Sequence, residues 1–239
     1  MLVAAIPAMA FGTNCYVLAP AAGEECVVVD PGIGVAKQVD DILREQRLRP
    51  VAVLLTHGHL DHTFSVAPVC KARGIAAYVH PADDELLADP SLSLGGGARV
   101  GMSALSAMLG GRFSYTEPDD VRPLADGATM ELAGLSFTVD HAPGHTRGSV
   151  LFHLPQVPGG PGGADAASPG ATCLSGDVLF AGSIGRTDLP GGDHAAMLRS
   201  LATKILPLAD DTVVLPGHGP ATTVGRERSA NPFLQDLAH

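Results

Sequence analysis

With 239 residues, 46% of them hydrophobic and only 17% charged, the chain can bury a substantial core and reads as one domain spanning 1–239. A formal net charge of −10 without a basic stripe argues against a nucleic-acid partner, because a phosphate backbone is held by clustered Lys and Arg. No run reaches the ~20 apolar residues of a membrane span. Cys15, Cys26, Cys70 and Cys173 are scattered singly, which predicts buried free thiols in a reducing cytoplasm rather than a disulfide framework.

The apolar opening MLVAAIPAMAF has no positively charged leader and runs directly into Cys15-Tyr16-Val17-Leu18, so it reads as the first strand. Val27-Val28-Val29-Asp30 is a second strand, stopped by Pro31-Gly32. Val35, Val39, Ile42 and Leu43 then recur at helical spacing up to Arg47. Val51 to Leu55 is a buried strand, Ser65 to Arg73 a helix closed by Gly74, and Ile75 to Val79 the next strand. Leu94 to Pro118, with a Gly triplet and apolar Met102, Leu105, Met108 and Leu109, predicts a lid insertion.

The second half repeats the pattern. Leu135 to Asp140, Ser149 to His153, Thr172 to Leu174 and Val213 to Leu215 are predicted strands, and Asp193 to Leu206 a helix with apolar Leu198, Leu201 and Ile205. The Gly- and Pro-rich stretch 158–170 predicts a flexible loop. Two β-rich halves with outer helices imply an α/β (α+β) fold of four layers, an αββα sandwich, and in open sheets functional residues collect at strand ends.

The chemistry is densest directly after the strand that ends at Leu55. Thr56-His57-Gly58-His59-Leu60-Asp61-His62 places three imidazoles and a carboxylate within six consecutive positions, donors that suit zinc and other borderline divalent ions. No cysteine joins them, which argues against a closed structural zinc site. His145, Asp177 and His218 each follow a predicted strand, and each taken singly could be an ordinary loop residue.

Together they resemble the metallo-β-lactamase superfamily. Its H-x-H-x-D-H signature is met by His57, His59, Asp61 and His62, and its later His, Asp and His by His145, Asp177 and His218. The likeness runs from Asn14-Cys15-Tyr16 through Asp30-Pro31-Gly32 to His218. It implies two divalent ions, zinc with iron or manganese as alternatives, at one edge of an αββα sandwich. One ion is implied on His57, His59 and His145 and the other on Asp61, His62 and His218, with Asp177 bridging. A carboxylate can span two cations, and two cations ~3.5–4 Å apart can share and deprotonate one water, the nucleophile. Asp61 and Asp177 are thereby implied as catalytic.

Finer motifs narrow the resemblance. Asp177 stands where the dizinc lactamases carry cysteine. Ser183-Ile184-Gly185-Arg186-Thr187-Asp188 looks like the glyoxalase II group, and Phe11, Asn14, Cys15 and Tyr16 match its short bacterial hydroxyacylglutathione hydrolase-like members. The implied reaction is hydrolysis of S-(2-hydroxyacyl)-thiols by a metal-bridging hydroxide, with a small-molecule thioester as the substrate and neither nucleic acid nor membrane as a partner. About 20 residues follow His218, with neither Lys nor Tyr, so the helical domain that contacts glutathione in full-length enzymes is expected to be missing. The thiol carrier stays open. Alternatives are a mononuclear-iron persulfide dioxygenase and a non-catalytic metal-binding module. Arg186 and Asp188 could orient Asp177 from behind or form a structural ion pair, and His80 either supports the site or simply ends a strand.

Overall fold

The computed structural model describes residues 1–97, 103, 106–107, 115–155 and 170–237. Most of the expected lid at 94–118, including its apolar stripe, and 158–169 of the expected flexible loop lie outside the described residues.

Two six-stranded sheets form the centre. The first holds, in chain order, β1 (Leu2–Pro7), β2 (Asn14–Ala19), β3 (Glu25–Val29), β4 (Arg49–Leu54), β5 (Ala76–Val79) and β6 (Val121–Pro123). Its first three strands are antiparallel, and β3 to β6 run parallel. The second is built from β7 (Thr129–Leu132), β8 (Leu135–His141), β9 (Val150–Leu154), β10 (Thr172–Gly176), β13 (Val213–Pro216) and β14 (Thr222–Thr223), in the order β14-β13-β10-β9-β8-β7. Between β10 and β13 the chain makes a small hairpin, β11 (Leu179–Phe180) and β12 (Ser183–Ile184).

The layering follows from strand alternation, because successive side chains point to opposite faces. Leu18, Val27, Val29 and Leu54 face the second sheet and pack with Leu135, Phe137, Val139, Phe152 and Leu174. Their neighbours Val17, Val28 and Val53 point the other way, onto Val39 and Leu43 of α1 (Ala36–Glu45) and Val66 and Val69 of α3 (Val66–Lys71). On the far side of the second sheet, Leu151, Cys173 and Val214 meet Met197, Leu201 and Ile205. Those three come from the helix His194–Ser200 and the wider π-type turn Leu201–Ile205 that continues it. The result is the αββα order. Full burial of side chains such as Phe137 and Phe152, whose rings meet edge to face at 6.5 Å, contributes about 1.5–3 kcal/mol each.

Several boundaries differ from the sequence reading. The opening residues make two strands, not one, because the chain reverses between Pro7 and Asn14 through Phe11 (φ 61°) and Gly12 (φ 66°). The expected Ser65 to Arg73 helix is preceded by a turn of helix, α2 (Leu60–Thr63), inside the histidine cluster. The two are separated at Ser65, whose N–H donates to the Pro31 carbonyl and whose hydroxyl donates to that of Gly32. The helices Val224–Ala230 and Pro232–Gln235 lack a strong apolar period and are started instead by capping side chains of Thr223 and Asn231. All four cysteines are buried and free, and burial pushes the Cys26 and Cys70 thiols up to about 12. No helix among the described residues is long and apolar enough to cross a membrane.

Candidate metal centre

The C-terminal ends of β4, β10 and β13, with the loop joining β8 to β9, converge at one edge of the two sheets. The Thr56 carbonyl accepts from Val150 N–H at 2.8 Å, tying one sheet to the other beside the histidine cluster. His57, His59, Asp61 and His62 follow β4, His145 stands in the β8–β9 loop, and Asp177 and His218 follow β10 and β13. The fold brings all seven together in overlapping groups: His57, His59 and His145; His57, His62 and Asp177; Asp61, His62 and His218.

Their donor atoms suit metal ions. The Nε2 atoms of His57, His59 and His145 and Oδ1 of Asp177 are buried without a hydrogen-bond partner, an arrangement that costs about 1–3 kcal/mol per atom unless a cation or proton satisfies it. His62 Nε2 lies 3.4 Å from Asp177 Oδ1 and from His218 Nε2. His145 Nε2 lies 3.5 Å from Asp177 Oδ2, and His218 Nε2 lies 3.3 Å from Asp61 Oδ2. Such separations match the edges of a tetrahedron drawn around an ion with bonds of ~2.0–2.2 Å. Asp177 therefore turns one oxygen toward His62 and the other toward His145 and His218. Gly217 has to be glycine here, since a Cβ would collide with Asp177 Oδ1 and His62 Cε1.

The imidazoles are aimed from behind through their Nδ1 atoms. His145 Nδ1 meets the Arg186 carbonyl at 2.7 Å, and His218 Nδ1 meets the Phe11 carbonyl at 3.1 Å. His62 Nδ1 lies 3.0 Å from Asp30, a buried residue held at φ 49° whose carboxylate also accepts from the N–H and hydroxyl of Thr56. Thr56 Oγ1 lies 3.1 Å from His57 Nδ1. Thr13 donates its hydroxyl to Asp61 Oδ2 at 2.9 Å. Such contacts fix ring orientation and tautomer and raise ligand basicity.

Electrostatics divide the cluster. Burial, reinforced by neighbouring imidazoles, holds His57 well below the ordinary histidine range and His59 down at about 3, so both are neutral, the form that can bind metal. His62 and His218 behave oppositely. Burial opposes their protonation, yet the Asp177 and Asp61 carboxylates outweigh it, raising His62 and bringing His218 to about 9. In return, against the effect of burial, His62 and His218 pull Asp61 down to about 2 and lower Asp177 as well.

The other sequence candidates stand differently. The Arg186 guanidinium pairs with Asp188 through two 2.7 Å bonds in the open, so neither side chain orients Asp177; Arg186 reaches the cluster by its main-chain carbonyl. His80 stacks on His141, with ring centroids 3.9 Å apart, and its Nδ1 accepts from Ala82 N–H. Sequence reasoning missed Thr13 and Asp83 and saw Asp30 only as part of a motif, since their contacts span 25 to 65 residues along the chain.

The family model for the metallo-beta-lactamase superfamily matches residues 8–157. The chain belongs to the metallo-beta-lactamase superfamily. Among relatives of this superfamily, it is 34% identical over 232 residues to the hydroxyacylglutathione hydrolase GloC of Haemophilus influenzae, covering 96% of each chain. The solved BLEG-1 B3 metallo-beta-lactamase is 37% identical with a TM-score of 0.76, over 98% of this chain and 99% of that one. TTHA1623, solved in a di-iron-bound form, is 36% identical with a TM-score of 0.71, over 98% and 100%. The superfamily fold and a His/Asp cluster able to bind metal ions thus coincide in a metallo-hydrolase.

Proposed function

We propose that this metallo-hydrolase, acting as one domain, cleaves thioesters of small 2-hydroxy acids at a site that holds two divalent ions. The observation that carries the reading is the position of Asp177, one oxygen facing His62 and the other facing His145 and His218, between two sets of three candidate ligands. His57, His59 and His145 would hold one ion, and Asp61, His62 and His218 the other. Zinc is the proposed metal, with iron and manganese as alternatives that the same nitrogen and oxygen donors accept; the di-iron form of TTHA1623 supports iron as the competitor. When bound, a metal pair polarises a carbonyl and lowers the pKa of a shared water.

The chain's own residues do the positioning. Neutral His57 and His59 offer lone pairs without first losing a proton, and Asp61 and Asp177 stay ionised across the physiological range. A thiol leaving group, with a pKa of about 8.5, departs with little protonation, so the chain needs no dedicated acid. The likeness to GloC supports the thioester class. Free buried thiols support action in the cytoplasm.

A second reading, β-lactam hydrolysis, is favoured by the likeness to BLEG-1. Metal analysis of protein purified without added metal, followed by S-lactoyl thioester and β-lactam assays, separates the two. Two metals per chain with thioester cleavage is the expected result. Lactam cleavage alone favours the second reading. One iron per chain with oxygen consumption on a persulfide makes the protein a dioxygenase, and bound metal without turnover of either panel makes it a binding module.

A further inference from the structure

Asp83 lies outside every candidate ligand group, yet it is buried at 1% exposure and satisfies three donors at once. Its Oδ2 accepts from Gly58 N–H at 2.8 Å and from the Thr146 hydroxyl at 2.7 Å, and its Oδ1 accepts from Gly148 N–H at 2.7 Å. Gly58 is the residue between His57 and His59, and Thr146 follows His145. One carboxylate therefore holds the main chain beside three imidazoles that come from loops of different sheets.

Both glycines are shaped to it. A Cβ on Gly148 would lie 2.6 Å from Asp83 Cγ, and one on Gly58 would lie 2.8 Å from Leu86 Cβ and 3.0 Å from the Asp83 carbonyl. The absence of side chains lets both N–H groups descend onto the carboxylate. Thr146 is fixed in turn by Ser149, whose hydroxyl lies 2.8 Å from Thr146 Oγ1 and accepts from Thr146 N–H. Asp61, His62 and His218 are supported from elsewhere, by Thr13, Asp30 and the Phe11 carbonyl, of which Asp30 alone also reaches the first half, through Thr56, whose Oγ1 lies 3.1 Å from His57 Nδ1.

We propose that Asp83 is a positioning residue for the His57, His59 and His145 half of the centre, a clamp that sets the affinity of one metal and leaves the other to the Asp30 network. The inference rests on the two-metal reading. An amide in place of the carboxylate offers one acceptor and one donor instead of two acceptors. In Asp83→Asn, whichever way the amide turns, an N–H faces the N–H of Gly58 or of Gly148.

The test is a chelator-competition titration of the full chain with Co²⁺ and with Zn²⁺, in which the cobalt absorption bands report each half separately. In Asp83→Asn the affinity of one metal should fall by about 10- to 100-fold, the range for losing an outer hydrogen-bond partner, with the other held within about threefold. Val139→Ala, a cavity in the core between the sheets, should lower the Tm and leave both affinities unchanged. Equal weakening of both metals in Asp83→Asn, or weakening of neither, overturns the clamp. If Asp83→Asn does not fold, Thr146→Val removes one of the three bonds to Asp83, together with the hydroxyl contact to Ser149, and should show the same selectivity with a smaller shift, restored in Thr146→Ser; no selectivity there overturns the clamp as well. A wild-type chain that binds two metals keeps the two-metal reading whatever the variants do. A wild-type chain that binds one removes that reading, and the clamp then stands only if Asp83→Asn weakens that metal and Thr13→Val, whose hydroxyl meets Asp61, does not.

Discussion

The two halves of the candidate centre differ in how they meet water. His57, His59 and His145 are 1%, 5% and 3% exposed, whereas in the other half, beside a fully buried His62, the Asp61 and His218 side chains keep 24% and 27% of their surface open. The buried half already has His57 and His59 in the neutral form that a metal needs; the open half stores protons on His62 and His218 beside its carboxylates. Burial favours the uncharged ligand, and proximity to acid favours the charged one. The same residue type is thus prepared for metal in one half and must surrender a proton in the other.

The strongest way to break this comparison is to remove the residue common to both halves. Asp177→Ala should lower thioester hydrolysis by more than the roughly 100-fold expected for an outer contact, and metal analysis should find fewer than two ions per chain. Full activity in that variant would remove the proposed bridge.

Acidity should sharpen the difference. His218 has its pKa raised to about 9, so below that value a metal in the open half must displace a proton. Its affinity should fall at least tenfold per pH unit as pH drops from 9 to 6, while the His57 and His59 contribution stays level, both being neutral throughout that window. Calorimetric titrations at several pH values, corrected for buffer ionisation, would show parallel losses in both halves if the division were wrong.

A smaller effect is expected for Thr13→Val, which deletes the hydroxyl donated to Asp61. The open half alone should weaken, by about tenfold, as read by competition with a chelator. The smallest belongs to Arg186→Ala. Its guanidinium is engaged with Asp188 in solvent, where screening leaves such an ion pair with little effect, so kcat/KM should change by no more than about twofold. A large loss would mean that the guanidinium, and not the main-chain carbonyl, serves His145.

The sequence made the candidate ligands readable because they stand at the ends of apolar runs, where a short local pattern is enough. The sandwich was readable from two β-rich halves with outer helices, in which apolar runs such as Val27 to Val29 mark strands and the spacing of Val35, Val39, Ile42 and Leu43 marks a helix. The split of the first strand was not, since it depends on left-handed backbone at Phe11 as well as Gly12, and Phe is a residue that rarely signals a turn. Nor was the role of Asp83. A polar residue before a short helix looks like an ordinary cap, and only folding brings it to Gly148, 65 positions along. The C-terminal helices escaped notice because capping side chains, rather than an apolar stripe, define where they start.

The contact of the first hairpin with the last histidine has a consequence for assembly. Phe11 and His218 are joined across 207 positions, Thr13 bridges to His218, and Asn14 N–H donates to the Gly217 carbonyl at 2.7 Å. During synthesis the hairpin and the cluster at His57 emerge long before Asp177 and His218. Contacts so distant along the chain form late and slow folding, so completion of the metal centre reports that the whole topology has closed, and a nascent chain cannot acquire it early.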